Sequence, residues 1–468
     1  MKKIITIATL FIASITSYAQ SLGYQDLGVL FSQNDDNGSA RFTSMSGAFG
    51  ALGGDVSSIN INPAGIAVFQ NSTFSGTFNS RNTNINTNYY GNSLKTKDQF
   101  FNLSHAGAVL VFDSAYKSDW SKFAIGFNYR ITKDFENSFI AQGNSGTATF
   151  RDFPLDNNTP TLSYDIADEQ RFANNYGGEI SEFNIAFSSV HQNRLYLGLG
   201  LNFYDLDFSQ QSLLTEFNND GNGNDLDANY YQENRTIGTG FSANAGFIYK
   251  VNSNFRFGLA YQTPTWFSEI IESTNITENE GNRINEIPFF GDTEIAVSNS
   301  NDVYDNTSGG YFPTQELLYK LKTPSKLTAS AAFIFGKDGL ISLDYINRSY
   351  QNMKLKGSNF TDENQFFEND LRNTHSFNLG TEWRFDRASV RAGYKYEQDP
   401  SKFTEGKNNL KGYSLGAGYN FGGFKLDFAF SDNNRTNLYN FYSGFDSVDP
   451  ASLKIDNKTI TATVTLNL

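Results

Sequence analysis

From Thr73 onward the chain exchanges apolar for polar residues at every second position, segment after segment. The last segment is the cleanest. Ile460, Ala462, Val464, Leu466 and Leu468 alternate with Thr461, Thr463, Thr465 and Asn467. Only a period of two does this, and a period of two is a β-strand with two different faces. Phe424, Leu426, Phe428 and Phe430 flank Lys425 and Asp427 in the same way. So do Phe377, Leu379, Trp383 and Phe385 around Glu382 and Arg384, and Val390, Ala392, Tyr394 and Tyr396 around Arg391 and Lys395. The pattern yields about fourteen segments, near 73–85, 100–112, 123–135, 180–191, 194–206, 235–251, 255–262, 325–335, 340–351, 375–385, 388–397, 411–421, 424–431 and 458–468. Most reach the ~10 residues that a tilted membrane strand needs, and an even number suits a barrel that closes on itself.

The connections separate by length. One set is short: Asp113–Lys122, Gln192-Asn193, Asn252–Asn254, Gly336–Gly339, Asp386-Arg387 and Gly422-Gly423. The other set is long and polar: 86–99, 136–179, 207–234, 263–324, 352–374, 398–410 and 432–457. Short turns at one end and long loops at the other is the asymmetry of outer-membrane barrels. A soluble sandwich also alternates, but it gives no reason for loop lengths to segregate.

Composition agrees about the solvent. Aromatic residues are 15% of the chain, and they suit the girdles at the two membrane interfaces. The longest late apolar run, Ala106–Phe112, is far too short for a membrane helix. The net charge of −13 leaves no basic face for phosphates, so nucleic-acid binding is disfavoured. With no cysteine, there is neither a disulfide framework nor a lipid-modified thiol. Lys2 and Lys3, the apolar stretch Ile4–Ile15 and the small-residue site Ser17-Tyr18-Ala19 read as a signal peptide, 1–19, cleaved after Ala19.

Between the signal and the first strand lies a segment that cannot be a strand. Phe42, Met45, Phe49 and Leu52 are spaced as one face of a short helix, with Gly47, Gly50, Gly53 and Gly54 keeping it slim and ending it. Asp55 is placed to cap a second turn, and Asn62 followed by Pro63 to start a third. Helices this short need a surface to pack on. Ile59, Ile61, Ile66, Val68 and Phe69 argue against a loose periplasmic arm. The expected container is the barrel lumen. The chain thus reads as an N-terminal hatch, 20–72, plugging a transmembrane antiparallel β-barrel, 73–468.

The run GAFGALGGDVSSININPAGIAVF resembles the N-terminal hatch of the FadL/TodX family, with Asn62, Pro63 and Ala64 at its most specific point. YQTPTWF at Tyr261–Phe267, LKTPSKLTASAAFIFGKDGLISLDY at Leu321–Tyr345 and FNLGTEWRFDRASVRAGYKY at Phe377–Tyr396 are also family-like. The resemblance implies a fourteen-stranded, monomeric outer-membrane barrel in a Gram-negative-type cell. It implies passive uptake of long-chain fatty acids or other hydrophobic compounds, with hatch rearrangement and lateral release into the bilayer. By the same resemblance Gly47, Phe49, Gly53, Gly54, Asn62, Pro63 and Ala64 form the hatch and gate. The implied partners are a hydrophobic small molecule, outer-membrane lipid and lipopolysaccharide, and the barrel-assembly machinery. The chain departs from many such barrels in ending on Leu468 rather than on an aromatic residue.

Chemistry of other kinds is weakly signalled. His105, His191 and His375 lack metal-ligand spacing. Ser104 and His105 are adjacent, so on a strand they face opposite sides and cannot pair as a catalytic dyad. Asn218–Asp227 looks faintly like a calcium loop, but aligning Gly223 with the invariant glycine puts Asn218 first and Asn229 last, where acidic ligands belong, so it reads as a flexible acidic loop. The expectation is no enzyme, no cofactor and no metal. Arg130, Arg256, Asp344, Glu382, Arg384, Arg391, Lys395, Lys425 and Asp427 fall on the inner strand faces and are expected to pair across the lumen or hold the hatch. Gly198, Gly200, Gly416 and Gly418 share that face, where they serve either wall curvature or close approach of the plug. The rival functions are a receptor or adhesin using the 263–324 loop, and a general diffusion porin.

Overall fold

In the computed structural model the first strand pairs with the last, Thr73 opposite Asn467 and Asn88 opposite Ser452, so the sheet closes. The structure describes residues 22–114, 119–153, 160–275, 292–298, 303–305, 314–442, 445 and 447–468. The signal peptide expected at 1–19 and the Pro288–Phe290 part of the long 263–324 loop lie outside them.

Fourteen antiparallel strands make the wall. They are β1 Thr73–Tyr89, β2 Asn92–Asp113, β3 Trp120–Asp134 continued by Asn137–Gly143, β4 Ile166–His191 and β5 Leu195–Asn219. Next come β6 Asp225–Lys250, β7 Phe255–Gln262 continued by Trp266–Asn275, β8 Thr314–Lys322 continued by Lys326–Phe335, and β9 Gly339–Arg348 continued by Lys354–Lys356. The wall is completed by β10 Thr374–Phe385, β11 Ala388–Glu397, β12 Leu410–Asn420, β13 Phe424–Tyr439 and β14 Ala451–Asn467. Closure pairs the backbone of every strand with two neighbours and leaves no open edge in lipid. The outward faces carry exposed Phe74, Leu199, Phe257, Leu343, Leu415 and Val464, among others. Phe335, Trp383, Tyr419 and Phe424 ring one end of this band, and Phe203, Tyr261, Trp266 and Tyr413 the other.

Most strands run further than the alternation suggests. The loop expected at 86–99 is instead a continued β1–β2 ladder, closed by a tight turn with Tyr90 at φ 41° and Gly91 at φ 85°. Likewise β5 and β6 stay paired out to Asn219 and Asp225. Above the lipid the outward face meets water while the inward face stays buried with mixed chemistry, Leu206, Phe208 and Leu214 beside Gln210 and Glu216, so the apolar-out pattern ends while the hydrogen-bond ladder does not. A second difference comes from proline. Gln262 pairs with Lys326 and Trp266 with Lys322, which sets Pro264 and Pro324 opposite each other. Neither can donate to the ladder, so both strands break there, and the Thr265 amide donates to Thr323 Oγ1 instead (2.9 Å).

The N-terminal segment fills the lumen with two helices, α1 Tyr24–Phe31 and α2 Ala40–Ser44, and two 3₁₀ turns, Val56–Asn60 and Pro63–Val68. The helix expected across Phe42–Leu52 stops at Ser44, because Ser46 and Gly47 take left-handed backbone (φ 50° and 75°). Phe42, Met45, Phe49 and Leu52 converge nonetheless, on Ile61, Ala332 and Leu340. Asp55 and Asn62 cap their turns as expected, accepting from the amides of Ser57 and Ala64.

The segment lies so close to the wall that inward side chains are missing beneath it. A Cβ on Gly198 would strike the Pro63–Ala64 backbone, and one on Gly416 the Ser44 side chain. Gly126, Gly246, Gly258 and Gly380 likewise face Ile66, Asn62, Gly50 and Met45. Gly200 and Gly418 face neighbouring wall side chains, Asn244 and Asp427, instead. Close approach therefore accounts for two of the four glycines singled out in the sequence. Gly198→Val should loosen the N-terminal segment, read as faster proteolysis within residues 40–69 of the folded barrel. Gly76→Val, whose Cβ meets nothing within 4 Å, should leave it unchanged; equal effects would contradict the packing account.

Candidate functional site

Asn62 is the knot of the lumen. Its Nδ2 donates to the Gly50 carbonyl (2.8 Å) and to the Phe247 carbonyl of β6 (2.9 Å), while its Oδ1 caps Ala64. Gly54 N donates to Gly65 O (3.0 Å), holding the two legs of the segment together. Gly53 at φ 61° lies against Gly65 with no room for a Cβ. Ala64 is fully buried, and its carbonyl accepts from Ser188 Oγ of β4 (3.2 Å). Phe49 stacks near Phe42 and under the Arg41 guanidinium, 5.1 Å from its ring centre. The residues picked from the sequence are thus brought into one contact set, in which Gly47 shapes the turn after α2 and its carbonyl accepts from Phe49 N (2.8 Å).

The wall holds this segment by charge and by carbonyls. Asp344 Oδ2 accepts from Gly50 N (2.9 Å). Arg256 Nη1 donates to Leu52 O (3.1 Å), and Lys326 Nζ to Asn60 O (3.1 Å). Glu382, 1% exposed, gathers Arg41 and Arg391, each at 2.7 Å, with Arg384 beside them. Arg391 also reaches Asp427 (2.6 Å). Alternation had placed these wall residues inside, apart from Lys326, which it did not single out. Arg41, on the segment itself, carried no such signal, because a short helix has no period-two face.

Above this level lies a layer of ion pairs: Arg130–Glu182 (2.7 Å), Lys133–Asp35 (2.9 Å), Lys395–Asp36 (2.6 Å) and Arg348–Glu397 (3.0 Å). Two polar cavities of about 70 and 90 Å³ sit among them. On the far side of the segment a larger cavity, about 670 Å³, opens between the periplasmic turns and is lined by Arg41, Arg256, Arg384, Arg387, Glu382 and Asp427. Moving an apolar molecule along this axis means wetting it or stripping charges.

Towards the outer face the lumen is apolar. Phe31 of α1 packs with Phe135 and Phe208; beyond them Phe139, Phe172, Tyr439 and Phe441 form one aromatic cluster. Many of these side chains belong to the wall strands themselves, and beside Phe135 the ladder between two of those strands is interrupted. β2 and β3 pair from Asp113–Lys122 up to His105–Arg130 and no further, although β2 continues to Asn92. Past that point side chains bridge the seam. Asn102 Nδ2 and Arg81 Nη2 hold Asp134 (3.2 and 3.0 Å), and Asp98 holds Ser138. Phe135 lies directly behind, and Phe101, 73% exposed, lies outside.

The remaining candidates are structural. His105 Nε2 meets Ser57 Oγ (3.2 Å), but its Nδ1 faces the Thr77 hydroxyl rather than a carboxylate. His191 lies near Asp119, and His375 accepts or donates to Tyr345 (2.7 Å), so the three histidines stay apart. In the 218–227 turn the Asp220 carboxylate accepts from the Asn224 side-chain amide (2.7 Å) and from the backbone amides of Asn222 and Asn224, and these hold its pKa low, near 2. Among the described residues no cluster of acidic or histidine side chains is arranged for a metal ion.

The sequence profile of the family described as "Outer membrane protein transport protein (OMPP1/FadL/TodX)" matches residues 28–438. Solved structures share the fold at low identity. A Pseudomonas aeruginosa FadL homologue has 14% identity and TM-score 0.54, over 92% of this chain and 98% of that one. The CymD monoaromatic hydrocarbon channel has 12% and 0.54, over 93% and 99%. The Pseudomonas putida toluene transporter TodX has 13% and 0.51, over 92% and 99%. No curated protein sequence matches.

Two outcomes test this geometry. Glu382→Gln removes the one carboxylate between Arg41 and Arg391, and unpairing buried charge costs about 3–5 kcal/mol. Amides of residues 40–54 should then exchange far faster while the barrel stays folded; unchanged exchange would contradict the anchoring role. Glu272, buried on the outer extension of β7 beside Tyr24 of α1, has its carboxyl pushed up to about 7 by burial, against the lowering effect of the Tyr24 hydroxyl. A raised carboxyl favours the protonated, docked state. The docking contribution is therefore full below the ordinary carboxylate range and lost as pH rises through about 7. Exchange of α1 amides, corrected for intrinsic rate, should rise over that window in the native protein and not in Glu272→Gln.

Proposed function

The chain belongs to the OMPP1/FadL/TodX family of outer-membrane transport proteins, and from that membership we propose that it carries long-chain fatty acid-like hydrophobic molecules passively into the cell envelope. It is an outer-membrane β-barrel of a Gram-negative-type cell, in a family made of transport channels rather than enzymes. The segment from Ser39 to Phe69 acts as the hatch. A lipophile enters from the outer face into the aromatic cluster and leaves sideways through the β2–β3 seam into the outer leaflet.

The observation that carries the reading is the order of polarity inside the barrel. The apolar upper lumen touches the seam at Phe135, while the axis below it is filled by ion pairs and the hatch. A molecule that gains free energy from apolar contact follows the apolar path. The two cavities at the ion-pair layer, about 70 and 90 Å³, are far smaller than the 300 Å³ or so that a ligand site occupies, so the aromatic side chains above them must part to admit cargo. A lumen filled twice over argues against the diffusion-porin reading.

Uptake of radiolabelled oleic acid and of toluene in a strain lacking the protein, with and without its return, tests the transport claim. No difference for either compound would count against it. The absence of native cysteine permits a direct test of the route. In Asn102→Cys/Asp134→Cys, a short cleavable bifunctional thiol reagent should cut uptake roughly tenfold or more, and cleavage should restore it. Unimpaired uptake with the seam locked would assign the exit elsewhere.

A further inference from the structure

We propose that Lys320, Lys322, Lys354 and Lys356 form a binding site for the phosphate groups of lipopolysaccharide in the outer leaflet. The register makes the site. On the outer extensions of β8 and β9, Lys320 stands directly opposite Lys356 and Lys322 opposite Lys354. Leu321 and Leu355 between them point into the lumen and are buried, so the lysines point out of the wall. Lys320, Lys354 and Lys356 are exposed, and Lys322 is half-buried.

Like charges directly opposite on neighbouring strands repel and destabilise the pair. Carboxylates do not relieve this repulsion. Among the described residues the lysines in ion pairs are Lys133, Lys395, Lys407 and Lys458, not these four. Glu269 lies at the bulge of β7 next to Lys320 and makes no ion pair with it. In a chain with a net charge of −13, an unneutralised tetrad of lysines is a local inversion of the general surface charge. An anion from outside the chain supplies the missing partner.

The height of the site identifies that anion. The lysines begin just beyond the breaks at Pro324 and at Ser349–Met353, on the side away from the periplasmic turns. Below those breaks the same strands and their neighbour β7 present Tyr261, Leu327, Phe333 and Leu343 outward, all exposed to lipid. Trp266, the cross-strand neighbour of Lys322, marks the boundary. Cationic points above an aromatic boundary and an aliphatic wall fit an amphiphile with phosphates on its headgroup and acyl chains beneath. Ammonium groups bind phosphate as point charges. The outer leaflet of such a membrane supplies this chemistry as lipopolysaccharide.

The test uses the full chain extracted from outer membranes in mild detergent. It is titrated with rough lipopolysaccharide, with the same glycolipid after phosphatase treatment, and with inorganic phosphate as competitor. Bound glycolipid is counted by native mass spectrometry. The native protein should bind the phosphorylated form, and the K320Q/K322Q/K354Q/K356Q variant should bind roughly tenfold or more weakly, with raised salt weakening the native protein alone. K95Q/K97Q, which removes two exposed lysines elsewhere on the wall, should match the native protein. Heat-dependent electrophoretic mobility confirms that each variant barrel is folded. Equal binding by the quadruple variant, equal binding of the dephosphorylated glycolipid, or full displacement by equimolar inorganic phosphate would each overturn the proposal.

Discussion

Hydrocarbon offers a backbone amide no partner, so a chain that crosses it as strands must pair every strand on both sides. That requirement sets the rest of this structure. It closes β14 onto β1, puts the apolar member of each residue pair outside, and leaves a lumen lined by the polar member. A lumen of this width cannot be filled by its own side chains, and the N-terminal segment occupies it. Because the wall's backbone groups are already used in ladders, the segment is held by side chains and by its own carbonyls: Asn62, Asp344, Arg256, Lys326 and Glu382. Such contacts can be exchanged one by one. A ladder cannot be opened without exposing backbone to lipid.

The same logic makes the β2–β3 seam a weak line in the wall. There the ladder ends at His105–Arg130, and Asp134, Asn102 and Arg81 continue it with side-chain bonds. These can swing aside at the rim of the lipid-facing band, where water is near enough to receive them. Electrostatics and packing then point the same way. Charge is concentrated on the axis, at the ion-pair layer and around the N-terminal segment, and aromatic surface lies above it, toward the outer face.

Much of this was legible in the sequence. Period-two alternation located the wall, its inner charges and its periplasmic turns, since a half-wet strand must alternate. Asn62-Pro63 was legible because capping is local chemistry. What stayed hidden has physical reasons. The long outer ladders of β1, β2, β5 and β6 turn a wet face outward and a buried face of mixed polar and apolar residues inward, so the lipid-facing alternation stops before they do. The break after Ser44 depends on Ser46 adopting left-handed backbone, which its side chain does not announce. The seam is a missing pairing between strands, and pairings are set by register across the sheet rather than by either strand alone. Gly198 and Gly416 could be read as wall curvature until the N-terminal segment was seen against them.

The central claim is that apolar cargo moves from the upper lumen sideways, not down the axis. A photoreactive long-chain fatty acid, activated in native outer membranes and mapped by peptide mass spectrometry, reports the path directly. The account predicts labels at Phe31, Phe135 and Phe208 in the chamber and at Phe101 and Leu103 outside the seam. Labels concentrated on Arg256, Ile334 and Leu340, around the periplasmic cavity beneath the hatch, would contradict it.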